Sequence, residues 1–149
     1  MKLTIERNVY DALLAAARRA APLEACGLLG GCQGRVSRFR ELTNADASGE
    51  HYRMLPEEQF AAVKELRAGG LEMLAIWHSH PATPARMSPE DLRLAYTPEV
   101  VYLILSLAEP GQPDLRGYVV EAGRPLPASI VLPAPDSARQ AHLTEGEPT

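Results

Sequence analysis

The chain predicts an α/β fold, a single domain in which a mixed central sheet is flanked by helices. Three observations carry that reading. Short apolar runs bounded by Gly, Pro and polar clusters recur along the sequence, among them "CGLLGGC", "LEMLAIWH" and "VVYLILSL", as strands do. Between them lie segments with apolar residues at helical spacing. The length of 149 residues, with 46% hydrophobic and 23% charged residues, suits one ordinary globular core.

Taken in order, residues 2–6 alternate as a short strand. Residues 8–20 place Val9, Tyr10, Leu13, Leu14 and Ala17 on one helical stripe, and Pro22 marks the end of that helix. The apolar strand 26–32 follows, then a turn at "QGR" and a hairpin partner at 35–42, with Val36 and Phe39 among charges. "TNADASGEHY", residues 43–52, reads as a mobile polar loop. Pro56 opens a helix whose first turn holds Glu57 and Glu58, where the helix dipole favours acids. Phe60, Val63 and Leu66 form its expected core stripe, and Gly69-Gly70 ends it. A strand at 71–78 comes next, then a loop to Ser88 and a short helix from Pro89 to about Ala95. Residues 100–107 lack alternation, as expected of a strand covered on both faces. Strands at 114–122 and 128–132 complete the sheet. The domain is expected to span 1–133, and the Pro-, Ala- and charge-rich residues 134–149 read as a disordered tail.

The bulk chemistry excludes several classes of function. Net charge is −4 and no Lys/Arg cluster stands out, which argues against nucleic acid or an anionic membrane as the main partner. The longest uncharged apolar run, Val100 to Ala108, is about half of what a spanning helix needs. The start "MKLTIERNVYD" has no apolar core of a secretory signal, so the expected location is the cytoplasm. Cys26 and Cys32, if on one strand, lie roughly 20 Å apart at about 3.3 Å per residue. They are expected to be reduced thiols. Oligomeric state is not legible.

One stretch carries the chemistry: "AIWHSHPATPARMSPEDL", residues 75–92. His78 and His80 are two positions apart on a strand, so they face the same side and their imidazoles can converge on one ion; a pair of histidines satisfied by hydrogen bonds alone is the alternative. Asp91 falls in the first turn of the next helix. Two His and one Asp leave a fourth coordination position open, the pattern of a catalytic zinc site. Iron(II) is the main competing metal. Asp91 has a second reading, because Ser88 at N-cap, Pro89 at N1 and Asp91 at N3 form a near capping box. A water activated by a metal also needs a base. The candidate is Glu24, a carboxylate entering a very apolar strand in "APLEACGLLGG"; a solvated helix-terminal acid is the alternative. Trp77, of opposite parity to the histidines, is expected in the core. Cys26 shares parity with Glu24 and faces either the cleft or the core. His51 is expected at the surface, and Asn44 is a candidate for bonding a substrate backbone.

"EACGLLGG", followed some fifty residues later by "HSHPATPARMSPED", resembles the signature of the JAMM (MPN-plus) metalloprotease family. That signature is a glutamate before a glycine-containing apolar strand, then H-[ST]-H, seven residues, S, two residues, D. Glu24, His78, Ser79, His80, Ser88 and Asp91 occupy it. The resemblance implies a cytidine-deaminase-like fold over residues 2 to about 132. It implies one Zn2+ per chain on His78, His80 and Asp91, with Glu24 as general acid/base and Ser88 as hydrogen-bond donor to the oxyanion. The side chains of Ser88 and Asp91 would then turn to the metal. Family members hydrolyse amide bonds, often after the C-terminal glycine of ubiquitin-like proteins. The chain resembles the compact prokaryotic members, some of which release a small amine such as cysteine from a sulfur carrier ending in Gly-Gly. The expected partner is such a carrier, and the loop Thr43 to Tyr52 is the candidate substrate contact. A broader ubiquitin-like isopeptidase or small-peptide hydrolase is the first alternative. A non-catalytic MPN scaffold is the second, although scaffolds usually lack the metal ligands present here.

Overall fold

Alternation along the strands sorts the core into two layers. The computed structural model describes residues 1–133, and the expected tail at 134–149 lies outside the described residues. The order is β1 (Lys2–Ile5), α1 (Arg7–Ala20), β2 (Cys26–Cys32), β3 (Arg35–Leu42), α2 (Pro56–Ala68), β4 (Glu72–His80), α3 (Pro89–Leu94), β5 (Val101–Ser106), β6 (Asp114–Glu121) and β7 (Arg124–Val131). On one face of the sheet, Leu29, Val36, Ala75, Trp77, Val101, Leu103 and Leu105 pack with Val9, Leu13, Ala16 and Ala17 of α1. On the other, Cys26, Leu28, Ile76 and Tyr102 pack with Ala62 of α2. Trp77 is wholly buried, as its parity requires, and meets Phe39 edge-on at 5.3 Å.

The strands lie in the order β1-β3-β2-β4-β5-β6-β7. β4 sits in the middle, antiparallel to β2 with Cys26 opposite His78, and parallel to β5 with His78 opposite Ile104. β1 pairs in parallel with both β3 and β7, so the sheet curls until its two ends meet. The sheet is thus mixed and flanked by helices, as expected. Among the described residues no helix is long and apolar enough to cross a membrane.

Three expectations need correction. β4 runs on through His80 rather than ending at 78, because β5 stays paired with it as far as His80 opposite Ser106. β7 starts at Arg124 rather than 128. Pro125 and Pro127 argue against a strand there, but both face only β6, and β1 joins β7 at Ser129 and beyond. Their missing N–H groups therefore sit on an unpaired edge. On α2 the stripe is Ala62, Val63 and Leu66, whereas Phe60 is 72% exposed. At 100° per residue, Phe60 lies nearly opposite Ala62 on the helix. Leu66 reaches the sheet where β2 has no side chain: a Cβ on Gly30 would stand 2.6 Å from Leu66 Cδ2.

The loop expected to be mobile is braced by one side chain. Asn44 Nδ2 donates to the carbonyls of Glu24, Ser48 and His51, and its Oδ1 accepts from Asp46 and Arg53 N–H. Both ends of the amide are thereby used within the protein, rather than left for a substrate backbone. His51 and Arg53 in turn hold Asp46.

Candidate metal centre

β4 carries His78 and His80 on the α2 side of the sheet to its C-terminal end, and α3 starts beside them. His78 Nε2 lies 3.1 Å from His80 Nε2, and Asp91 Oδ2 lies 3.3 Å and 3.2 Å from them. All three residues are buried, at 1%, 5% and 8% exposure. These are the three residues among those described whose ligand atoms converge for an ion. Four ligands at zinc's bond lengths of about 2.0–2.1 Å stand roughly 3.3–3.4 Å apart in a tetrahedron. The observed triangle, 3.1–3.3 Å on a side, is close to that spacing. A proton satisfies one such contact, not three, so these residues fit a divalent ion.

The surroundings orient the donors. His80 Nδ1 is 2.8 Å from the Pro84 carbonyl, which accepts its N–H and leaves the Nε2 lone pair facing the centre. The loop bearing Pro84 is itself pinned, since Ser106 Oγ donates to Thr83 O and Tyr118 Oη to Ala85 O, both at 2.6 Å. The Tyr52 ring stacks on His78 at 4.6 Å. Burial holds His78 below the usual histidine range and outweighs its bond to Asp91. For His80 burial acts the same way, but the bonds to Asp91 and the Pro84 carbonyl prevail and raise it. Burial opposes the charge on Asp91, yet its contacts with both histidines and the hydrogen bond from Ser88 N–H keep it far below the carboxylate range.

Capping and convergence on the centre do not exclude one another at Asp91. Ser88 Oγ accepts from Asp91 N–H at 3.0 Å, and Asp91 Oδ2 accepts from Ser88 N–H at 2.9 Å, a complete capping box. The same Oδ2 reaches both histidines. The expectation that Ser88 and Asp91 turn away from capping is therefore corrected. A carboxylate oxygen has lone pairs enough for both tasks, and the Ser88 hydroxyl accepts with its oxygen while its own proton stays available.

Glu24 stands two residues ahead of Cys26. The antiparallel register, continued past Cys26 and His78, sets it across from His80 on the same face. It is 3% exposed and its Oε1 has no partner. Burial pushes its carboxyl up from 4.5 to about 7, with His80 lowering and Asp91 raising it further. Such a group exchanges a proton near neutrality. Cys26, on the same face, packs into the core with its thiol toward the Leu42 and Thr43 carbonyls, and burial pushes it up to about 12. It is no nucleophile at neutral pH.

Two clefts flank these residues. One, of about 700 Å³, is lined by Leu23, Glu24, Leu42, Thr43, Asn44 and Ala47 among others. The other, of about 240 Å³, is lined by Tyr52, Met54, Ile76, Leu94, Tyr96 and Tyr102 among others. Tyr52 figures in the sequence only as the end of the loop Thr43 to Tyr52, and the anchors Ser106 and Tyr118 not at all. Their roles depend on distances between segments, which no local pattern reports.

Residues 6–118 match the family described as prokaryotic homologs of the JAB domain. The CysO-cysteine peptidase of Mycobacterium tuberculosis (strain ATCC 25618 / H37Rv) is 36% identical over 123 residues, covering 81% of this chain and 84% of that one. A probable TtuB-protein conjugate cleaving protease of Thermus thermophilus is 34% identical over 131 residues, covering 87% and 83%. The solution structure of a Desulfitobacterium hafniense protein superposes with a TM-score of 0.82 at 45% identity, covering 89% of this chain and 93% of that chain. With Glu24, His78, His80 and Asp91 buried together on one face of the sheet, the chain belongs to the family of prokaryotic homologs of the JAB domain, the prokaryotic JAMM/MPN family.

Proposed function

We propose that this protein is a zinc-dependent peptidase. It hydrolyses the amide bond after the C-terminal Gly-Gly of a small ubiquitin-like sulfur carrier and releases the amine attached there. The observation that carries the reading is the triangle of His78, His80 and Asp91 ligand atoms, 3.1–3.3 Å apart, beside a buried Glu24 whose Oε1 has no partner. The activities in the names of the two curated relatives support the substrate class, since one is a CysO-cysteine peptidase and the other cleaves TtuB-protein conjugates.

His78, His80 and Asp91 hold the ion. When bound, it supplies Lewis-acid polarisation and makes water acidic enough to react near neutral pH. Glu24 takes a proton from the attacking water and passes it to the departing nitrogen as the C–N bond breaks. Ser88 donates a hydrogen bond from its hydroxyl to the carbonyl oxygen as charge gathers there. The loop Thr43 to Tyr52 guides the carrier's tail. In support, it contributes Thr43 and Asn44 to one cleft and Tyr52 to the other. Glycines suit such a tail, because their backbone approaches a buried centre where side chains clash. The reaction belongs in the cytoplasm, a reducing compartment suited to the two free thiols Cys26 and Cys32.

The test is a set of carrier fusions differing only at the final glycine, with the released amine followed by mass spectrometry. Cleavage of the Gly-Gly carrier and far slower cleavage when the last glycine becomes alanine is the expected result. Equal rates across the set reject the substrate class and leave the metal chemistry standing. Elemental analysis of His80→Ala addresses that chemistry separately: about one zinc per parent chain is expected to be lost in the variant, and full retention rejects the ligand set.

A further inference from the structure

We propose that Ser79, the residue between the two histidines, is a positioning residue that sets the place of Glu24. The inference rests on the reading of Glu24 as proton carrier. His78 and His80 turn toward the α2 side of the sheet. Ser79 has the opposite parity and is wholly buried on the α1 side, where its β4 companions Ala75 and Trp77 are apolar. A hydroxyl in that layer needs a partner.

The partner is the main chain next to Glu24. Ala25 N–H donates to Ser79 Oγ at 2.8 Å, and Ser79 N–H donates back to the Ala25 carbonyl at 3.0 Å. In a regular antiparallel ladder the first of these bonds would go to a main-chain carbonyl. Here the side chain takes that place, and β2 begins only at Cys26. Glu24 thus leaves the strand just where it faces His80. From its other side the loop holds the same residue, since Glu24 N–H donates to Ser48 O at 2.8 Å and Asn44 Nδ2 donates to Glu24 O at 3.1 Å. Its carboxyl has no bond of its own at Oε1, so the backbone bonds are what aim it. Without the hydroxyl, Ala25 N–H is either left buried and unpartnered or pulled onto the β4 main chain. Both shift Glu24 against His80, and a displacement of about 1 Å at a reacting group costs about 10²-fold in rate.

Ser79→Thr and Ser79→Val test this at nearly equal side-chain volume. The expected Ser79→Thr enzyme works within about threefold of the parent, because threonine keeps the hydroxyl that accepts from Ala25 N–H. Ser79→Val keeps parental zinc content and KM within about twofold, loses roughly 10- to 100-fold in kcat, and shows faster hydrogen exchange at the Ala25 amide. Equal kcat in the Thr and Val variants overturns the proposal, as does a Val variant that loses zinc or unfolds together with Thr. Failure of the underlying reading shows elsewhere: near-parental kcat in Glu24→Gln removes Glu24 as proton carrier, whatever Ser79 does.

Discussion

Asp91 illustrates how much one oxygen can be asked to do. Its Oδ2 faces both histidines and accepts from Ser88 N–H, so the helix start and the metal centre are one construction. Ser88 is bound into it through the bond from Asp91 N–H. Ser88→Ala is therefore expected to lose in two ways. Removal of the cap costs about 1 kcal/mol, a fall in Tm of about 2–4 °C for a chain of this size. Removal of the oxyanion donor proposed for Ser88 is expected to lower kcat by about 10²–10³. Melting and turnover measured on one variant separate these, and an unchanged kcat leaves Ser88 only its cap. Glu24 makes a prediction about pH in the metal-free protein. Burial raises its carboxyl from 4.5 to about 7, so the folded state holds that proton more tightly than the unfolded one. The resulting stabilisation is complete below about pH 4.5 and is lost as pH rises through about 7. Glutamine is not subject to that loss. The Tm of metal-free Glu24→Gln relative to the parent is expected to rise from pH 5 to pH 8, and a constant difference contradicts the buried, uncompensated carboxyl.

At the scale of elements, the register of β2 against β4 does most to assemble the centre. Cys26 opposite His78 sets the approach of Glu24 from one strand to His80 on the next. α2 holds that face of the sheet through Leu66 seated over Gly30. Leu66→Ala is expected to cost about 2–5 kcal/mol, whereas Phe60→Ser, on the solvent side of the same helix, stays within about 0.5 kcal/mol of the parent. Urea melts of the two variants check this. Similar losses in both would mean that Phe60 has a packing role the exposed ring does not reveal.

For the whole molecule, the proposed ion would bear on stability as well as on chemistry. Three buried polar side chains converge at the C-terminal end of the central strand, and an ion that binds only the folded arrangement stabilises it by mass action. Chelation is expected to lower Tm, and restored zinc to raise it again. The gain is about 2.7 kcal/mol at free zinc a hundredfold above Kd. A Tm that chelator and zinc both leave unchanged contradicts a folded-state metal site. His80→Ala should remove the zinc response while leaving the sheet intact, as followed by circular dichroism.

The parts of this protein legible from its chain are those encoded in short-range pattern. Two-residue parity placed His78 and His80 on one face and Trp77 on the other. Ser88-Pro89-Glu90-Asp91 announced a helix start, and the resemblance carried by Glu24, the His pair, Ser88 and Asp91 pointed to the family. Nearly every element came through for the same reason, because strand and helix periods are local properties of sequence. What stayed hidden were matters settled between segments far apart in the chain. Whether Asp91 caps a helix or faces the histidines is a choice in sequence and a single geometry in the fold. The first half of β7 hid behind Pro125 and Pro127 because edge and centre are defined by neighbours. Phe60 was misplaced because a helix's buried face is fixed by the surface it meets. The bond from Ala25 to Ser79 and the stacking of Tyr52 on His78 join positions separated by dozens of residues, and their energy depends on distance and burial, quantities that exist only once the chain has packed.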